Sequence, residues 1–239
     1  MIDPRREQDR RAQRQRILDA ARELFGSRGF DAVTMADVAE LAGVARATVF
    51  NHFGSKHALV EGITESVLDY YAGMLERALA DEETSTPTLV RALFEQMGAG
   101  IEQFHGFYRG VFREILKVQV GLDEGSAAAH ARERALERLA RLMSRGQERG
   151  DLSRDFSASD IATAFDSLAN GTITRWLFED TSGSLRARMA RTAEIFVSAV
   201  AMPDSRAAAQ PLPVLSPLTP AMPTPVAIPL RRARKRRKR

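Results

Sequence analysis

The chain has no cysteine, which rules out disulfides, thiolate metal sites and a cysteine nucleophile. Its four histidines are scattered, and neither an HExxH pair nor a glycine-rich phosphate loop occurs. The sequence therefore offers no catalytic residue, no metal ligand set and no cofactor motif, and it reads as a non-enzyme. No apolar run approaches the roughly 20 residues that a membrane-spanning helix needs. The basic amino terminus lacks the apolar core of a secretory signal, so the expected location is cytoplasmic. Proline is scarce until the end, where eight of the ten prolines fall between Pro203 and Pro229.

At 239 residues with 44% hydrophobic side chains, the chain has material for one large domain or two modest ones. The net charge of +4 hides a division. The last nine residues, RRARKRRKR, carry eight positive charges, so the remainder sums to −4. A mildly acidic body with basic ends points to local contacts with nucleic acid rather than a uniform polyanion-binding surface.

The chain is organised around TMADVAELAGVARATVFNHFGSK, Thr34 to Lys56. Thr34 with Asp37 three residues on makes a capping pattern. Val38, Leu41 and Val44 supply an apolar face, and Gly43 stands where a first helix must stop. A second helix begins near Ala45 and is expected to turn Val49, Phe50 and Phe53 inward. Arg46, Ala47, Thr48, Asn51 and His52 then lie on the outer side. Two helices joined by a tight glycine turn, the second with a polar outer face, form a helix-turn-helix.

This stretch, with ILDAARELFGSRGFDAVTMADVAELA upstream, resembles the tetracycline-repressor (TetR) family of bacterial transcription regulators. The resemblance covers about Arg10 to Leu59. It implies an all-α protein: a three-helix helix-turn-helix DNA-binding domain, then a helical-bundle ligand-binding and dimerisation domain, then a disordered Pro-rich basic tail. The expected boundaries are 1–57, 58–202 and 203–239, with a recognition helix at about 45–52. The implied function is a ligand-responsive transcriptional regulator, a homodimeric repressor that binds a palindromic double-stranded DNA operator and is released by a small molecule of unknown identity. The implied DNA-contacting residues are Thr34, Arg46, Ala47, Thr48, Phe50, Asn51, His52 and Lys56. Arg46 is placed to meet a guanine or a phosphate. Two positions depart from the family's habit. Ala45 stands where serine is frequent, and Phe50 stands where a tyrosine hydroxyl often meets phosphate.

The arginine-rich stretch from Met1 to about Arg14 reads as an arm beside the DNA, with Arg10 and Arg14 the better phosphate candidates. Helical patterns follow from Ser55 to about Leu79, then around Leu89 to Phe104, Phe107 to Val120 and Ala127 to Arg149. Thr84 to Pro87 reads as a loop. Ser159 to Phe178 carries two apolar stripes, the second interrupted by Asp166, so that one can serve the core and the other a partner. A last helix runs from Leu185 to about Val200. The resemblance implies dimerisation through these last two helices, about 159–200. Tyr71, Met74, Met97, Phe104, Phe107, Tyr108, Phe112, Gln119 and Phe165 form a pool of side chains able to surround an apolar ligand, with His105, Arg109 and His130 as polar candidates. The Pro-rich stretch after Met202 is expected to be an unstructured tether, its basic end adding salt-sensitive, non-specific phosphate contacts. The rival readings are an enzyme and a packaging protein that binds nucleic acid without sequence preference.

Overall fold

A computed structural model describes residues 4–109, 125, 127–179, 183–206 and 211–215. Among them the order is α1 (Pro4–Arg28), α2 (Met35–Ala42), α3 (Arg46–His52), α4 (Lys56–Ala80), α5 (Thr86–Gln103), α6 (Ala127–Glu148), α7 (Ala158–Phe178), α8 (Leu185–Val200) and a single turn, α9 (Pro203–Arg206). Residues 105–109 are also helical. The only extended pairing among the described residues is an isolated bridge between Leu152 and Ala201, so the all-α expectation holds.

α1 to α3 form the head. Ile17, Leu18, Ala21, Leu24 and Phe25 are buried on one face of α1, against Val33, Val38, Val49 and Phe53. Gly43 ends α2 with φ 66° and ψ 36°, and its N–H reaches the carbonyls of Ala39 and Glu40. A side chain is strained in that left-handed conformation, which is why glycine stands at the turn. Two residues read as inward-facing are not. Leu41 and Phe50 are 36% and 42% exposed, because a helix of seven or eight residues has room for only a narrow buried stripe. The arm is also corrected: residues from Pro4 onward are the first turns of α1 itself.

α4 links head to body. Ser55 caps it by accepting from the Ala58 N–H at 3.1 Å, and its Leu59, Val60 and Ile63 end packs with the head while Met74, Leu75 and Ala78 are buried in the body. In the body, α5 packs on α8, α4 on α6, and α6 on α7. Phe94, Phe165 and Phe196 meet at its centre, with the Phe94 and Phe165 rings 4.3 Å apart. Pro87 lies inside the first turn of α5 rather than in a loop. Proline suits that position because the N–H it lacks has no helical partner there. The cap comes from a distance: the Asp151 carboxylate accepts from both the Thr86 N–H (2.9 Å) and its hydroxyl (3.0 Å).

The segment expected to be an unstructured tether is docked in part. Besides α9, residues 211–215 lie along the body. The Gln96 side chain donates to the Pro213 carbonyl at 2.7 Å and accepts from the Leu215 N–H at 2.8 Å. Leu215 is 2% exposed. An extended proline-containing strand leaves its backbone groups free for such a clamp. The basic cluster at 231–239 and most of the expected helix from Phe107 to Val120 lie outside the described residues.

Arg145 holds the far end of α4. Its Nη1 and Nη2 donate to the carbonyls of Leu79 (2.6 Å) and Ala78 (2.8 Å). These orphan carbonyls carry the negative end of the helix dipole, which suits a cation. Arg145→Ala is expected to lower unfolding free energy by about 2 kcal/mol. Arg141→Ala, on the exposed side of the same helix, is expected to stay within about 0.5 kcal/mol. Denaturant melts of the two variants check this.

Candidate DNA-binding surface and ligand cavity

The head presents one end of α2, the outer face of α3 and the amino end of α4. Thr34 forms the full capping box that the sequence announced. Its hydroxyl accepts from the Asp37 N–H at 3.1 Å, and its own N–H donates to the Asp37 carboxylate at 2.8 Å. The hydroxyl proton goes to the same carboxylate at 2.6 Å. Thr34 is therefore committed to the fold, and a DNA contact would have to share these groups. Arg46, the first residue of α3, is exposed, with its guanidinium 5.5 Å from the centre of the Phe50 ring. Ala47 and Asn51 are exposed beside it, and Thr48 is half-buried. No side chain caps α3 at Ala45.

Three half-exposed residues expected at the DNA have partners within the protein. Lys56 Nζ donates to the Phe30 carbonyl at 2.8 Å and stands 4.5 Å from the centre of that residue's ring. It ties the start of α4 to the turn before α2, so its place does not depend on arriving phosphate. A ring nitrogen of His52 lies 3.0 Å from Gln13 Oε1 on α1. Burial, and then the nearby Arg10 and Arg14 charges, lower its pKa, so the imidazole is neutral at neutral pH. Arg14 pairs with Glu65 of α4 at 3.1 Å and lies over the Phe53 ring. Nothing in the local pattern marks Gln13 or Glu65 as partners, because each contact spans tens of residues.

The body encloses a cavity of about 180 Å³ between α4, α5, residues 104–108, α6 and α7. That volume far exceeds the roughly 10–15 Å³ taken by one water. Tyr71, Met74, Met97, Phe104, Phe107 and Tyr108, drawn from the sequence's candidate pool, all line it. Phe165 does not: it is fully buried between Phe94 and Phe196. Phe112 and Gln119 lie outside the described residues. His105 packs its ring edge on Trp176, 4.8 Å away. His105, Arg109 and His130 are not among the lining residues. The polar lining was not foreseen. It comprises chiefly Gln96, Arg132, Asp166 and Asn170; Asp166 had read only as a break in an apolar stripe. Burial and then Asp166 raise the Tyr71 phenol pKa, keeping it neutral. Among the described residues no group of three or more histidine or carboxylate side chains is placed to hold a metal.

A glycine-turned helix pair with an exposed arginine at the start of its second helix is a helix-turn-helix, here set on a helical body with an apolar cavity. Residues 17–63 match the family described as bacterial regulatory proteins, tetR family. The HTH-type transcriptional regulator AlkX of Mycobacterium tuberculosis is 32% identical over 101 residues, covering 42% of this chain and 44% of that protein. The regulator TtgR of Pseudomonas putida is 33% identical over 90 residues, covering 38% and 41%. The chain thus spans less than half the length of these curated relatives. Solved structures extend the likeness across the body. A TetR-family regulator structure from Mesorhizobium loti aligns over 81% of this chain and 98% of its own, with a TM-score of 0.62 at 21% identity. FadR of Thermus thermophilus aligns over 77% and 93%, with a TM-score of 0.59 at 25% identity. Residues 17–63 are thus a TetR-family helix-turn-helix head, as the sequence implied, and the body shares the fold of TetR-family structures.

The two hydrogen bonds from Thr34, led by that from the hydroxyl, hold the Asp37 carboxyl below its ordinary 3.8. A lowered folded-state pKa gives stability that is present above the unfolded value and lost as pH falls through the folded one. Acidification from about pH 6 to about pH 2 should therefore narrow the difference in melting temperature between the native chain and Thr34→Val, leaving only the part due to the cap bond from the Asp37 N–H. Paired melts across that range read the outcome.

Proposed function

We propose that the chain is a homodimeric, ligand-responsive repressor in the cytoplasm that reads a near-palindromic operator through α3. The observation carrying this reading is Arg46: exposed at the first position of the second helix, where side chains of such helices lie nearest the bases, and splinted by Phe50. Ala47, Thr48 and Asn51 share its face and supply apolar or hydrogen-bonding contact. Phe50 has no hydroxyl for phosphate, and its role is to fix the arginine. Thr34 and Lys56 position the two ends of the reading head, while His52 braces α3 against α1. Catalysis is no part of the proposal. Among the described residues no helix is long and apolar enough to cross a membrane.

Dimerisation through α7 and α8 is supported by their outer faces. Leu168 and Ile195 are 39% and 65% exposed, and Thr172 and Thr192 hydrogen-bond at 3.0 Å between the helices. A second copy covering these apolar side chains would hold two α3 helices about 34–36 Å apart, one turn of DNA.

The cavity supports effector control. FadR of Thermus thermophilus was solved in complex with lauroyl-CoA, a molecule with a long apolar tail. In this chain the cavity wall touches the head directly. Phe107 and Tyr108 line the cavity, and a Cβ on neighbouring Gly106 would stand only 2.7 Å from the Gly26 carbonyl oxygen in the last turns of α1. A guest that pushes the 105–109 segment outward would press it against α1. The shift needed is of ordinary allosteric size, about 1–3 kcal/mol.

Footprinting of genomic DNA should show one short palindrome protected by the full chain and by a truncation after Met202. Arg46→Ala should abolish that protection; diffuse protection independent of Arg46 would remove the reading. Ile195→Lys should yield monomers in sedimentation and lose the footprint. Gly106→Ala, which forces the α1 contact apart, should weaken operator binding about tenfold in a titration without effector.

A further inference from the structure

The walls of the cavity are mostly apolar, yet one fully formed ion pair is set into them. Arg132 of α6 and Asp166 of α7 meet with Nη2 and Oδ2 2.7 Å apart, their side chains 29% and 19% exposed. Both line the cavity, and Asn170, one helical turn beyond Asp166, lines it too. The pair is electrically neutral, and neither partner is saturated by the other. Arg132 gives Asp166 a single hydrogen bond from Nη2, whereas a guanidinium carries five N–H donors and a carboxylate has several acceptor positions.

These capacities discriminate among polar groups on an apolar guest. A carboxylate would have to draw Arg132 away and leave Asp166 charged and unpaired beside Tyr71, whose ionisation Asp166 already opposes. Breaking a partly buried pair in this way is strongly unfavourable. An ammonium would attract Asp166 but orphan Arg132 in the same fashion. A hydroxyl needs neither separation. Its oxygen accepts from Arg132 while its proton goes to Asp166, and the charges stay together. We infer that the effector is an apolar molecule whose polar group at this wall is an uncharged hydroxyl, held between Arg132 and Asp166. This inference rests on the cavity being the effector site.

The test uses the full chain and three probes that share one alkyl body: decanol, decanoate and decylammonium. Calorimetric titration should show decanol binding about tenfold more tightly than either ion. Asp166→Asn leaves the arginine charge uncompensated, so decanoate should overtake decanol. Arg132→Gln should in turn favour decylammonium. Equal or tighter binding of an ion to the native chain would overturn the hydroxyl assignment, as would an Asp166→Asn ranking identical to the native one. A Gly100→Leu variant tests the site itself. Gly100 lines the cavity, and a Cβ there meets nothing within 4 Å, so the leucine should fill the space and abolish binding of all three probes. A wrong ranking that Gly100→Leu still blocks removes only the hydroxyl. Binding that survives Gly100→Leu, or no binding of any probe to the native chain, removes the cavity as the effector site and the inference with it.

Discussion

α4 has to bury apolar side chains in two places at once. Leu59, Val60 and Ile63 are enclosed against the head, and Met74, Leu75 and Ala78 against the body. Each large aliphatic group contributes about 1.5–3 kcal/mol by leaving water, so neither end can be released cheaply. Its termini are fixed as well, by Lys56 bonding to the Phe30 carbonyl at one end and Arg145 bonding to Leu79 and Ala78 at the other. A helix pinned this way transmits displacement as a rigid strut rather than absorbing it. Its middle, including Val67, Leu68 and Tyr71, is the stretch that walls the cavity.

Parts of the molecule set by neighbours a few residues apart were legible in the sequence. The Thr34–Asp37 box, the Gly43 stop and the Ser55 cap each follow from contacts within one turn, and helical spacing located most of the helices. Cavity side chains were legible as a class, since large apolar residues on facing helices must meet something. What the sequence left open depends on distant partners. Lys56, His52 and Arg14 read only as DNA-facing residues, because Phe30, Gln13 and Glu65 lie 26, 39 and 51 residues away. Phe50 and Leu41 were misplaced for another reason: in so short a helix, periodicity alone does not decide between a narrow buried face and a broad one. Asp166 looked like an interruption until Arg132 was seen to face it.

The head and the cavity manage charge in opposite ways. On the head, Arg46 is exposed and stiffened by an aromatic ring that adds no charge of its own. A cation so presented keeps its field for an incoming polyanion. In the cavity every gain of charge is balanced on the spot, by Arg132 against Asp166. The Tyr71 and Tyr108 phenols are kept protonated, chiefly by burial.

Gln96 belongs to the cavity wall, yet its side chain is held by backbone atoms made 117 and 119 residues later. During synthesis α5, α6 and α7 emerge well before Pro213 and Leu215. Until those two residues have been made, the Gln96 side chain lacks these partners. That corner of the wall is therefore the last to be fastened, however early the helices around it are made.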